Sequence, residues 1–80
     1  MLKKEVADKI GVHPVTLSRW LAGDRYPERD KMLIIHELFG WSVTQQMLAY
    51  EKSTSEDPRA YGEALAKHIE PWVADPETRY

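Results

Sequence analysis

A four-residue break, Gly11-Val12-His13-Pro14, separates two short stretches whose apolar residues recur at helical spacing, so the chain must turn sharply between two helices. Before the break, Leu2, Val6 and Ile10 recur four residues apart with Ala7 beside them, which gives one apolar helix face. Gly11 ends that helix, because a helix end commonly needs a positive φ that glycine adopts without a Cβ penalty. Pro14 suits the first position of the next helix, where its missing N–H would have had no intrahelical partner. In that second helix Leu17, Trp20 and Leu21 fall on one side, while Val15, Ser18, Arg19 and Ala22 point elsewhere. Short polar groups, one arginine and a small apolar side chain on an outer face suit a DNA major groove, where base edges offer acceptors, donors and thymine methyls. Periodicity alone leaves an ordinary helical hairpin of a small core equally open.

The spacing of Ala7, Gly11, Val12, Leu17 and Trp20 resembles the helix-turn-helix of the lambda repressor and Cro family, also called the Xre family. The run Thr16-Leu17-Ser18-Arg19-Trp20, followed by Gly23, Arg25 and Pro27, resembles that family's continuation into its next helix, and the similarity covers roughly residues 3 to 50. It implies an all-α fold: a small lambda repressor-like helical bundle with a helix-turn-helix. It also implies a sequence-specific regulator of double-stranded DNA, a repressor or Cro-like protein of phage type, working as a symmetric homodimer on an inverted-repeat operator. The expected setting is the cytoplasm of a bacterium or of a phage host. Family members usually carry a helix ahead of the motif, whereas only Met1 and Leu2 precede Lys3 here.

Eighty residues suit one small domain, whose modest core would gain from oligomerisation. Without cysteine there is no disulfide framework and no thiolate metal site. No apolar run approaches a membrane span or the core of a signal peptide, so no membrane partner is expected. The net charge of −2 is unlike a nucleic-acid binder, but its distribution is uneven. Residues 1–31 hold seven Lys or Arg against five acids, and residues 32–80 hold four against eight. The basic excess coincides with the proposed hairpin, as phosphate neutralisation requires.

Further along, Asp24-Arg25-Tyr26-Pro27 reads as a turn-rich connector. A helix is predicted from about Glu28 to Phe39, with Met32, Ile34, Ile35, Leu38 and Phe39 on a broad apolar face and Leu33 opposite. Gly40 ends it, and Ser42 with Gln45 forms a capping-box pattern for a helix from about Val43 to Glu51, with Val43, Met47 and Leu48 inward. Residues 1–51 are thus the expected DNA-binding unit, and the polar, aperiodic run 52–57 reads as a linker. Asp57-Pro58 reads as an N-cap and first-turn proline of a last helix ending near Glu70, before Pro71. Within 58–72, Tyr61, Leu65, Ile69 and Trp72 form a stripe that must be buried, either on the domain's own core or against a second copy. Residues 73–80 read as a fraying tail.

Catalytic chemistry finds little support. His13, His36 and His68 lack metal-ligand spacing, Thr16 and Ser18 have no recognisable base, and the four glycines form no phosphate-cradling loop. A non-enzymatic protein without metal or cofactor is expected. Base readout is assigned to His13, Val15, Thr16, Ser18 and Arg19, with Ala22 less central. Phosphate contact is assigned to Lys3, Lys4, Arg25, Arg29 and Lys31, which would position the protein without reading sequence. A different class of function stays open beside this one: a protein-interaction module, such as an antitoxin or accessory regulator, binding through the acidic C-terminal half.

Overall fold

The structure, a computed structural model, describes residues 2–73, with side chains as far as residue 71. Five helices follow one another: α1 (Lys3–Ile10), α2 (Pro14–Ala22), α3 (Arg29–Phe39), α4 (Val43–Ser55) and α5 (Ala60–Val73). No strand occurs among the described residues, so the fold is all-α.

The break between α1 and α2 has the geometry its residues demand. Gly11 sits at φ 90°, and the amides of Gly11 and Val12 close back onto Asp8 and Ala7, at 3.1 and 2.9 Å. That pair of bonds is a Schellman ending, in which main-chain carbonyls orphaned by the helix end find donors. Val6, Ala7 and Ile10 of α1 then meet Leu17 and Trp20 of α2, all buried, with Val12 packed against them. α3 adds Met32 and Ile35 to this core, with Ile34, Leu38 and Phe39 partly buried at its edge and Leu33 exposed.

α5 completes the core. Tyr61, Leu65 and Ile69 are all but inaccessible, and the helix lies against α4, α2 and α1. These three side chains are therefore occupied within their own chain; the Trp72 side chain and residues 74–80 lie outside the described residues.

α4 departs most from expectation. The predicted linker at 52–57 is helical as far as Ser55, and Glu56 caps it by donating its amide to Lys52. Its hydroxyls are hydrogen-bonded within the fold. Thr54 and Ser55 donate to the Glu51 carbonyl, and the buried Ser53 Oγ accepts the Tyr61 amide at 2.7 Å. The inward face is corrected as well: Val43 is half-buried, but Met47 and Leu48 are 39% and 60% exposed, and Gln46 occupies the interior instead.

α5 differs at both ends. The Asp57 carboxylate accepts the Arg59 amide at 3.0 Å, so it caps a turn, and the helix proper starts at Ala60. At the other end α5 runs through Pro71 to Val73. Pro71 has no N–H to offer the Lys67 carbonyl, so the last turn lacks one intrahelical bond.

Candidate nucleic-acid interface

The side chains of α2 divide as a groove-entering helix requires. Leu17 and Trp20 are 1% and 3% exposed, while Val15 is 50% exposed and Ser18, Arg19 and Ala22 are open to solvent. Residues 15, 18, 19 and 22 make one continuous outward row at spacings of three, four and seven. Thr16 is half-buried on its flank. His13 is exposed at the N-cap, where its Nδ1 accepts the Val15 amide at 3.1 Å.

α5 holds this helix in place from its far end. A Cβ on Gly62 would stand 2.3 Å from the Leu21 carbonyl oxygen, and one on Gly23 would stand 2.4 Å from that of Pro58. The two backbones thus meet without intervening side chains. Tyr26 latches the connector to the same place by donating its hydroxyl to the Pro58 carbonyl at 3.1 Å, and its ring lies edge-on to Tyr50 and Tyr61. None of these contacts has a sequence signature: Gly62 sits inside a helical pattern, and Tyr26 sits in a connector.

The basic residues lie on α1, on the connector and at the start of α3 rather than gathered at one point. Lys3 and Lys4 are exposed in the first turn of α1, and Lys4 lines an open cleft with Glu5, Asp8, Val12 and Pro14 that leads to the start of α2. Arg25 is exposed on the connector. Arg29, exposed at the start of α3, borders a separate cleft with Tyr26, Met32, Met47 and Tyr50. Lys31 is half-buried, its Nζ only 3.6 Å from where a Cβ on Gly11 would stand. It sits at the C-terminus of α1, where the helix dipole favours a cation. Among the described residues none of these cations, nor Arg19, has an acidic partner within ion-pair distance.

Behind the interface lies a buried polar cluster that sequence reading missed. Gln46 donates to the carbonyls of Met32 and Trp41, both at 2.8 Å, and accepts the Tyr61 hydroxyl at 2.9 Å. Trp41 is buried, packs on Tyr61, and stacks on the His68 ring with centroids 4.6 Å apart. Burial pushes the Tyr61 phenol well above its ordinary ionisation range. Every buried side-chain polar atom among the described residues has a partner. No group of three potential metal ligands occurs there, and no helix is long and apolar enough to cross a membrane.

Residues 1–49 match the family described as helix-turn-helix, a span that takes in α1 to α3 and the first half of α4. The chain belongs to that family, of the Xre or lambda repressor-like type, whose members are DNA-binding regulators. α5 lies outside the matched span. No curated protein and no solved structure matches the chain significantly.

Proposed function

We propose that this protein is a sequence-specific regulator of transcription, a repressor or Cro-like protein, that inserts α2 into the major groove of double-stranded DNA. One observation carries the reading: the outward row of Val15, Ser18, Arg19 and Ala22 is exposed while Leu17 and Trp20 anchor the same helix. Arg19 donates two hydrogen bonds to guanine O6 and N7, Val15 packs on a thymine methyl, and Ser18, Thr16 and His13 supply further polar contacts. Lys3, Lys4, Arg25 and Arg29 neutralise phosphates; Lys31 has the weakest claim, because its ammonium already faces the end of α1. A homodimer on an inverted repeat would place two copies of α2 in successive major grooves about 34 to 36 Å apart. The buried part of the α5 stripe is packed within its own chain and is not offered as the pairing surface.

A protein-interaction role is the second reading, and it has Leu33, Met47 and Leu48 in its favour as large apolar side chains left exposed. Selection from a randomised duplex library at several salt concentrations separates the two. An enriched inverted repeat with steeply salt-dependent affinity supports the regulator, and a single half-site supports a monomer. No enrichment at low salt supports the interaction module.

A further inference from the structure

The start of α2 differs from an ordinary helix N-terminus in the fate of its donors. Such a terminus usually offers unpaired main-chain amides, which is why anions and phosphates gather there. Here Pro14 has no N–H to offer. The Thr16 and Leu17 amides both close onto the His13 carbonyl, at 2.9 and 3.2 Å. That leaves the Val15 amide, and the His13 ring takes it through Nδ1. No main-chain donor of residues 14–17 remains for DNA.

The same hydrogen bond fixes the chemistry of the imidazole. A nitrogen that accepts an amide proton carries none of its own, so the neutral ring bears its proton on Nε2. Nδ1 is turned into the helix, so Nε2–H is the ring's remaining polar group, on a residue that is exposed beside the outward row of α2. The charged side chains lining the adjoining cleft are Lys4, Glu5 and Asp8 of α1, and none of them bonds the ring.

Resting on the DNA-binding reading above, we infer that His13 is a donor-only contact: its Nε2–H, and not a main-chain amide of α2, meets an acceptor atom of the DNA at the start of the recognition helix. The acceptor is a phosphate oxygen or a base-edge acceptor in the major groove. Cap and contact are then one device.

Two measurements on the full chain test this. In the free protein, NMR of the neutral ring's nitrogens should show the proton on Nε2 and a hydrogen bond from the Val15 amide to a bare Nδ1. A neutral ring that carries its proton on Nδ1 instead overturns the cap. The second measurement compares DNA binding by the wild type and His13→Ser, since serine caps as well through its hydroxyl but ends well short of the imidazole Nε2. With thermal stability matched, affinity should fall by about three- to tenfold, the size of one lost hydrogen bond. Loss that is uniform over all sequences assigns the contact to phosphate, and loss of preference at one base pair assigns it to a base edge. Unchanged affinity and preference overturn the inference while leaving the DNA reading intact. Failure of the wild type to bind any duplex at low salt overturns both.

Discussion

Gly62 of α5 rests directly on the carbonyl of Leu21 in α2: a Cβ there would stand 2.3 Å from the Leu21 oxygen and 2.7 Å from that of Trp20. Both obstacles are main-chain atoms, so neither can rotate aside. Gly62→Ala would add helix propensity, a gain of about 1 kcal/mol. Separating the two helices costs more, because overpacking a tight contact typically loses ~1 to 3 kcal/mol and here the backbone itself must shift. At the upper end of that cost, which a backbone obstacle calls for, the net loss is about 2 kcal/mol, seen as a fall in Tm of roughly 8 to 16 °C for a domain of this size. A variant as stable as the wild type would show that α5 does not approach α2 this closely.

The Gln46 cluster should behave asymmetrically. Tyr61→Phe leaves only the Gln46 Oε1 without its donor and should cost about 1 to 2 kcal/mol. Gln46→Leu keeps nearly the same volume but removes donors from the Met32 and Trp41 carbonyls and the acceptor from Tyr61. Three groups are affected instead of one, and a loss of roughly 2 to 4 kcal/mol is expected. Urea unfolding of both variants checks the order. Equal losses would mean that Gln46 serves Tyr61 alone.

Tyr61 also predicts how the fold responds to alkali. Its folded-state phenol ionises above the ordinary value because burial disfavours the phenolate. A raised folded pKa contributes stability that is fully present below the unfolded pKa, about 10 for tyrosine, and that is lost as pH rises from there through the folded value. Stability of the wild type should therefore fall above about pH 10, and Tyr61→Phe should lose less over the same range. Parallel alkaline slopes for the two proteins would assign the loss to other groups.

What the sequence made legible follows from which forces leave a local mark. The ends of α1 and α2 could be read because Gly11 and Pro14 act through their own backbones, and the buried faces because Val6, Ile10, Leu17 and Trp20 follow helical spacing. The inward face of α4 was hidden because its buried residues are Gln46 and Ser53, polar groups whose partners are 14 and 8 positions away. Met47 and Leu48 are apolar at the spacing of an inward face, yet among the described residues both stay exposed. Trp41 lies in a connector without periodicity, and the glycine contacts between α2 and α5 join residues some 40 positions apart. On the outer face of α2 the sequence identified which side chains point outward; it held no sign that the His13 ring is engaged with the Val15 amide.

Arg19 and Lys4 should fail in different ways, and the difference tests the division between reading and positioning. Both are exposed and neither has an acidic partner among the described residues, so alanine at either site should change stability by no more than about 0.5 kcal/mol. Arg19 lies on the outward row of α2, where a bidentate contact to guanine is worth ~1 to 3 kcal/mol of discrimination. Arg19→Ala should therefore lower affinity for the selected site about tenfold or more while leaving binding to random duplex nearly unchanged. Lys4 lies in α1 beside the cleft that leads to α2, and a phosphate contact there carries no sequence information. Lys4→Ala should weaken all duplexes by a similar factor and reduce the slope of log affinity against log salt by about 0.9, the equivalent of one released counterion. Binding titrations of both variants on selected and random duplexes over a range of salt distinguish the cases. If Arg19→Ala weakens both duplexes equally, the arginine contacts phosphate, and readout falls to Val15, Ser18 and their neighbours.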